Sequence, residues 1–119
     1  MTINEAIVRI SEIKPCPYSE NLIASWISEL EGKISLETLH MDRAIGYEYP
    51  REGNFTLLAE PPYDNIYELY LCAMIDYHSR DIPAYNNSMA LFSQAYEEYR
   101  KHCIRSSLPP SRSGFRGVL

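Results

Sequence analysis

The side chains in this chain that could do chemistry are three histidines, three cysteines and a few carboxylates set among apolar residues. A metal centre would draw on His40, His78, His102 and Cys103. Zinc needs three or four such ligands converging on one ion, and a helical sequence announces that by ligands three or four positions apart. His102 and Cys103 are adjacent and leave a helix in different directions, as do Asp76 and His78. They read as ordinary surface and boundary residues, and neither a metal nor a cofactor is expected.

A nucleophilic centre would pair a cysteine with a histidine. Cys72 and His78 lie too far apart on one helix to touch. Cys103 has cationic neighbours, the usual condition for a reactive thiol, but it falls in a packing stripe where a structural thiol is expected. Acid–base catalysis needs a carboxylate pushed into an apolar cleft. Asp76, between Ile75 and Tyr77, is the candidate, and helical geometry assigns it to the solvated face. Glu97 and Glu98 read as a wet face, and no glycine-rich phosphate loop is present. The chain therefore reads as a non-enzyme.

Helices must position these residues. Thr2 and Glu5 have capping-box spacing, and Ile3, Ala6, Ile7, Ile10 and Ile13 follow on one stripe until Pro15 and Pro17. Ser19 caps a second helix with Leu22, Ile23, Trp26, Ile27, Leu30 and Ile34 on its face. It is expected to run to about Met41, with Gly32 marking a bend or a close contact. From Ala44 to Glu60 the pattern dissolves, leaving an irregular central loop. In it Phe55, Leu57 and Leu58 could make a short extended hairpin arm with Tyr47 and Tyr49. Pro61 and Pro62 open a third helix with the stripe Tyr67, Tyr70, Leu71, Met74, Tyr77 and His78. Asp81 caps a fourth, with Pro83 in its first turn and a seam of Tyr85, Met89, Phe92, Tyr96, Tyr99 and Cys103. The short link through Ser79 and Arg80 makes these last two an αα-hairpin. The expected fold is all-α, a small bundle of about four helices over residues 1–105. Residues 106–119, rich in Ser, Pro, Gly and Arg, form a flexible basic tail.

The net charge of −5 argues against a dedicated nucleic-acid binder, which would carry a broad basic face. The charge is uneven, since no carboxylate side chain follows Glu98 while Arg100, Lys101, Arg105, Arg112 and Arg116 do. Three widely spaced cysteines fit reduced thiols in a cytosolic protein, and no segment reads as a signal peptide or a membrane span. The ten tyrosines have two readings, as core and as interface, because the ring packs and the hydroxyl suits a wet boundary. Asn86, Asn87 and Ser88 are either a polar first turn or a contact surface, and Arg105, Arg112 and Arg116 either a solvated end or a docking element. The interface candidates are Tyr63, Tyr67, Tyr85, Asn86, Asn87, Arg105, Arg112 and Arg116.

Three segments together carry a resemblance: MTINEAI with WISELEG, then PPYD through IDY, then YNNSMALF through AY. They resemble a family of small phage and prophage proteins, the head–tail connector (adaptor, head-completion) proteins, over most of residues 1–105. The resemblance implies a helical subunit that docks under the portal after DNA packaging. There it forms a homo-oligomeric ring, a dodecamer, that extends the DNA channel and offers a platform to the next neck protein. The expected location is the virion neck, after assembly in the host cytoplasm. The central loop and the tail would be reaching elements that order on assembly, and packaged DNA would pass without sequence-specific contact. The alternative is a small helical regulatory module that binds a protein or nucleic-acid partner.

Overall fold

Thr2 opens the first helix through a reciprocal pair: its hydroxyl accepts the Glu5 N–H at 3.2 Å, while the Glu5 carboxylate accepts the Thr2 N–H at 2.9 Å. In the computed structural model, which describes residues 1–107, this helix, α1, spans Ile3–Ile13. It buries Ile3, Ala6, Ile7 and Ile10, whereas Ile13 at the end of the stripe is exposed. Ser19 caps α2, Glu20–Lys33, by accepting the Leu22 N–H at 3.2 Å.

α2 does not run on to Met41. It widens into a single π-helical turn, Ile34–Thr38, and the chain then folds back past Gly32. Ser35 is the physical reason: its Oγ donates to the Gly32 carbonyl at 2.9 Å and accepts the Ile45 N–H at 3.0 Å. A side chain that bonds back onto the preceding turn bends a helix, and here it also pins the returning strand of chain.

Nor does the central loop form a hairpin with Tyr47 and Tyr49. A single antiparallel bridge joins Thr56 to Thr2, supported by Leu57 N–H to the Met1 carbonyl (2.8 Å) and Asn4 N–H to the Gly53 carbonyl (3.0 Å). Tyr47 turns to α2, its N–H donating to Ser28 Oγ at 3.1 Å, and the Tyr49 hydroxyl donates to Glu20 at 2.9 Å. Leu57 and Ala59 enter the core. Residues 44–60 are thus fastened to the body, which corrects their reading as a reaching element. The tail, including Arg112 and Arg116, lies outside the described residues.

Pro61–Asp64 form a turn, so α3 begins at Asn65 rather than at the prolines, and it ends at His78. It is the central helix, packed by α1, α2 and α4. That enclosure buries Ile66, Tyr67, Tyr70, Leu71, Ala73, Ile75 and Asp76. Tyr77 and His78, expected on the apolar stripe, face out, and Asp76, expected in solvent, faces in. The turn after α3 puts Arg80 at φ 61°, a left-handed conformation. Asp81 then caps α4, Ile82–Ser107, accepting the Ala84 N–H at 3.3 Å. The αα-hairpin and the four-helix, all-α architecture agree with the sequence expectation. No helix among the described residues is long and apolar enough to cross a membrane.

Candidate functional site

Glu31 sits four positions after Ile27 and three before Ile34, so α2 turns it into the core beside them, where it is fully buried. Its Oε2 accepts the Leu58 N–H at 3.0 Å and the Tyr47 hydroxyl at 2.8 Å. Its Oε1 accepts the Tyr67 hydroxyl at 2.5 Å, and that hydroxyl in turn accepts the Ala59 N–H at 2.9 Å. Glu31 has no ion pair among the described residues. Burial lifts its carboxyl above the ordinary range, and the hydrogen bonds only partly offset this. The Tyr47 and Tyr67 phenols are pushed far above theirs by burial and by the Glu31 charge. One carboxylate thereby ties α2, the central loop and α3 together.

Asp76 makes a second internal tie. Lys14, the residue that closes α1, places its ammonium on Oδ1, and the Ser88 hydroxyl of α4 donates to Oδ2 at 2.6 Å. Burial favours the protonated form, but the Lys14 and Ser88 hydrogen bonds and the Lys14 charge outweigh it and hold the carboxyl below its ordinary value. The interior role of Ser88 resolves part of the Asn86–Asn87–Ser88 question: the serine is a clasp, and the two asparagines are exposed.

Neither acid meets open space. A surface groove of about 690 Å³ runs along α1 past Asn4, Val8, Arg9 and Glu12, and a cavity of about 400 Å³ lies at the end of α4. Glu31 and Asp76 line neither of them. Among the described residues, no three His, Cys, Asp or Glu side chains gather as a metal-binding set. All three cysteines are half-buried and free, and burial raises the Cys72 thiol above its ordinary value.

The proposed interface residues fall at two ends of the hairpin. At the turn end, Tyr85 packs against Tyr77 (centroids 5.4 Å), which meets His78 of a Tyr18–Trp26–His78 cluster, and Asn86 and Asn87 stand exposed nearby on α4. At the other end, Tyr63 stacks on His102 at 4.4 Å and meets Tyr99, with Arg105 exposed one turn on. Twenty helical positions separate Tyr85 from Arg105, about 30 Å, so the two groups are not one site. Tyr67 belongs to neither. It is fully buried, and its assignment to an interface is corrected: its hydroxyl is taken by Glu31 and Ala59.

The sequence reading does not single out Glu31 or Lys14, and it assigns Asp76 to the solvated face, whereas the structure buries it. The available signal was angular. Glu31 shares its helical face with Ile27 and Ile34, and Asp76 is three positions past the buried Ala73. Comparison with protein-family models, with curated proteins and with solved structures finds no match to this chain.

Proposed function

We propose that the chain is a structural virion neck protein, a head–tail connector that docks on the portal as an oligomeric ring and joins the DNA-filled head to the tail. The observation that carries this reading is α4. It is 26 residues long, about 39 Å, and α3 is its main helical support. Its outer face, Asn87, Leu91, Gln94, Glu98, Lys101 and Arg105, is exposed from end to end.

A closed ring built from one subunit needs two different lateral surfaces that match head to tail. The outer face of α4 supplies one, and the exposed side of α1 around Val8, Arg9 and Glu12 supplies another that differs in shape and charge. The segments that resemble connector proteins coincide with the framework between them. MTINEAI forms the capped start of α1, WISELEG delivers Glu31, IDY delivers Asp76, and YNNS delivers Ser88. With both buried acids engaged by internal partners, the chain supplies rigidity rather than catalysis. The acidic body would line a channel through which DNA slides without sticking.

The test is to delete the coding sequence from the phage or inducible prophage that carries it and image the lysate by electron microscopy. DNA-packed or leaking heads beside separate, complete tails are expected. Normal virions with joined tails overturn the connector reading. Lys101 and Arg105, exposed at the end of α4, favour the rival of a regulatory module with a nucleic-acid partner. Salt-dependent DNA binding that disappears when residues 106–119 are removed would establish that rival.

A further inference from the structure

We propose that the groove along α1 seats the outer face of α4 from a second copy of this chain, with the two helices antiparallel. The proposal deepens the ring reading and rests on it for the succession of copies. The groove, about 690 Å³, runs between α1 and the Pro61–Asp64 turn, with Glu5, Val8, Arg9, Glu12 and Asp64 in its lining. Val8, more than half exposed, is its apolar element. Arg9 has Glu68 at 3.5 Å and Asp64 has the Met1 amine at 3.8 Å, whereas Glu5 and Glu12 have no ion pair among the described residues. The groove therefore presents carboxylates in need of cations, with one arginine between them.

The outer face of α4 carries the complement. Glu98, Lys101 and Arg105 are exposed and have no ion pair among the described residues, and the helix has no charged side chain from Ile82 to Tyr96. Gln94 to Lys101 spans seven positions, as Glu5 to Glu12 does, about 10.5 Å in each helix. Laid antiparallel, Lys101 meets Glu5, Glu98 meets Arg9 and the uncharged Gln94 meets Glu12, while Arg105 continues towards Asp64. A parallel alignment carries Arg105 past Ile13, the end of α1, and away from Asp64.

Only another copy can make this match. Both helices pack on α3 and scarcely on one another, and α4 is held to α3 by Phe92 against Tyr70 and by Ser88 on Asp76. A chain cannot turn the outer face of its own α4 into its own groove. Two unlike surfaces on one subunit give a head-to-tail contact that repeats from copy to copy. The contact is only as long as α1, 11 residues or about 16 Å. That is short of what a stable pair of free chains buries, so the match gains strength when several copies are held on one platform.

The test mixes equimolar full-length chains carrying Glu12→Cys with chains carrying Gln94→Cys or Lys101→Cys, at high concentration, and treats them with a short bismaleimide. All three positions are exposed. Mass spectrometry of linked peptides separates them from the half-buried Cys16, Cys72 and Cys103. Glu12→Cys should link to Gln94→Cys at least about fivefold more than to Lys101→Cys. Arg9→Glu in the Glu12→Cys chain should lower that yield by about fivefold, and Glu98→Arg in the Gln94→Cys chain should restore it. No link, or a stronger link to Lys101→Cys, overturns the proposal. So does Gln94→Cys linking to itself in preference, because two α4 faces would then pair by a twofold axis. The deletion phenotype is read separately: separated heads and tails without this link overturn the groove assignment and leave the connector reading standing.

Discussion

Removing Lys14 should cost more than removing Asp76, although the two form one ion pair. Asp76 is 4 % exposed, whereas the Lys14 side chain keeps 27 % of its surface in water. In Asp76→Asn the ammonium swings into solvent and Ser88 keeps a side-chain acceptor, so the loss is about 1 kcal/mol. In Lys14→Met a carboxylate stays buried with only the Ser88 hydroxyl for company, and breaking a buried pair from that side costs about 3 kcal/mol. Urea unfolding followed by far-ultraviolet circular dichroism at neutral pH reads the difference, with an unchanged denaturant slope showing that the transition is the same. The pH profile adds an independent sign. In the natural chain the folded Asp76 carboxyl titrates below its unfolded value. Its contribution is therefore present above the ordinary carboxylate range and is lost as the pH falls through the folded value. Without Lys14 burial dominates, the folded value rises above the unfolded one, and this contribution reverses: stability falls as the pH climbs from the unfolded value through the folded one. Lys14→Met with Asp76→Leu should recover most of the loss, since an apolar pair leaves no buried charge. Equal losses in the two single variants, or a larger one in Asp76→Asn, would refute the claim that the buried carboxylate depends on Lys14.

Glu31→Gln turns one acceptor of the core knot into a donor facing donors and should cost about 2 kcal/mol. Amide exchange at Leu58 and Ala59 should quicken, and unchanged exchange there would mean that Glu31 does not fasten the loop. Because the folded Glu31 carboxyl titrates above its unfolded value, it withdraws stability as the pH rises from the unfolded value through the folded one, and the glutamine variant should lack that decline. Arg80→Gly relieves a left-handed backbone at φ 61° and should be neutral or stabilising by up to about 1 kcal/mol; a clear loss in urea unfolding would show that the arginine side chain matters there. At Gly53 an added Cβ would lie 2.6 Å from Asn4 Oδ1, whose amide donates to Asn54 at 2.7 Å. Gly53→Ala should therefore lower stability by about 1 kcal/mol, a fall in Tm of about 5 °C, and an unchanged Tm would show that Asn4 yields freely.

The helices were legible where their ends carry short-range chemistry. Thr2 with Glu5, Ser19 with Leu22, and Asp81 with Ala84 are satisfied within a few residues, so sequence alone exposes them. The tight link from Ser79 to Asp81 likewise dictated the hairpin. α3 was harder, because a helix enclosed by three others has no single apolar stripe for periodicity to find. For that reason helical periodicity alone puts Tyr77 in the core and Asp76 on the surface, the reverse of where they lie. The central loop has no period at all. Its order comes from the side chains of Ser28, Glu31, Ser35 and Asn4 reaching across the chain, and side-chain bonds between distant residues leave no local pattern. Charged letters inside WISELEG and IDY looked wet because partners such as Tyr67 and Lys14 lie far away in sequence.

α4 behaves mechanically as a beam on two unlike bearings. Its first half is clamped to a rigid helix by Phe92 against Tyr70 and by the Ser88–Asp76 clasp. Its second half rests on chain outside the α-helices, with the Tyr96 hydroxyl 2.6 Å from Thr38 Oγ1 in the π-helical turn and His102 stacked on Tyr63 just after the two prolines. A load on the far tip is delivered to the end of α2 and the start of α3 together, the two joints that Glu31 binds into one knot through the loop between them. A tilt of the unclamped half, about 20 Å long, by about 10° moves the tip by about 3 Å. The bundle is thus built to convert a push at one rim into strain at its centre while the clamped end stays still.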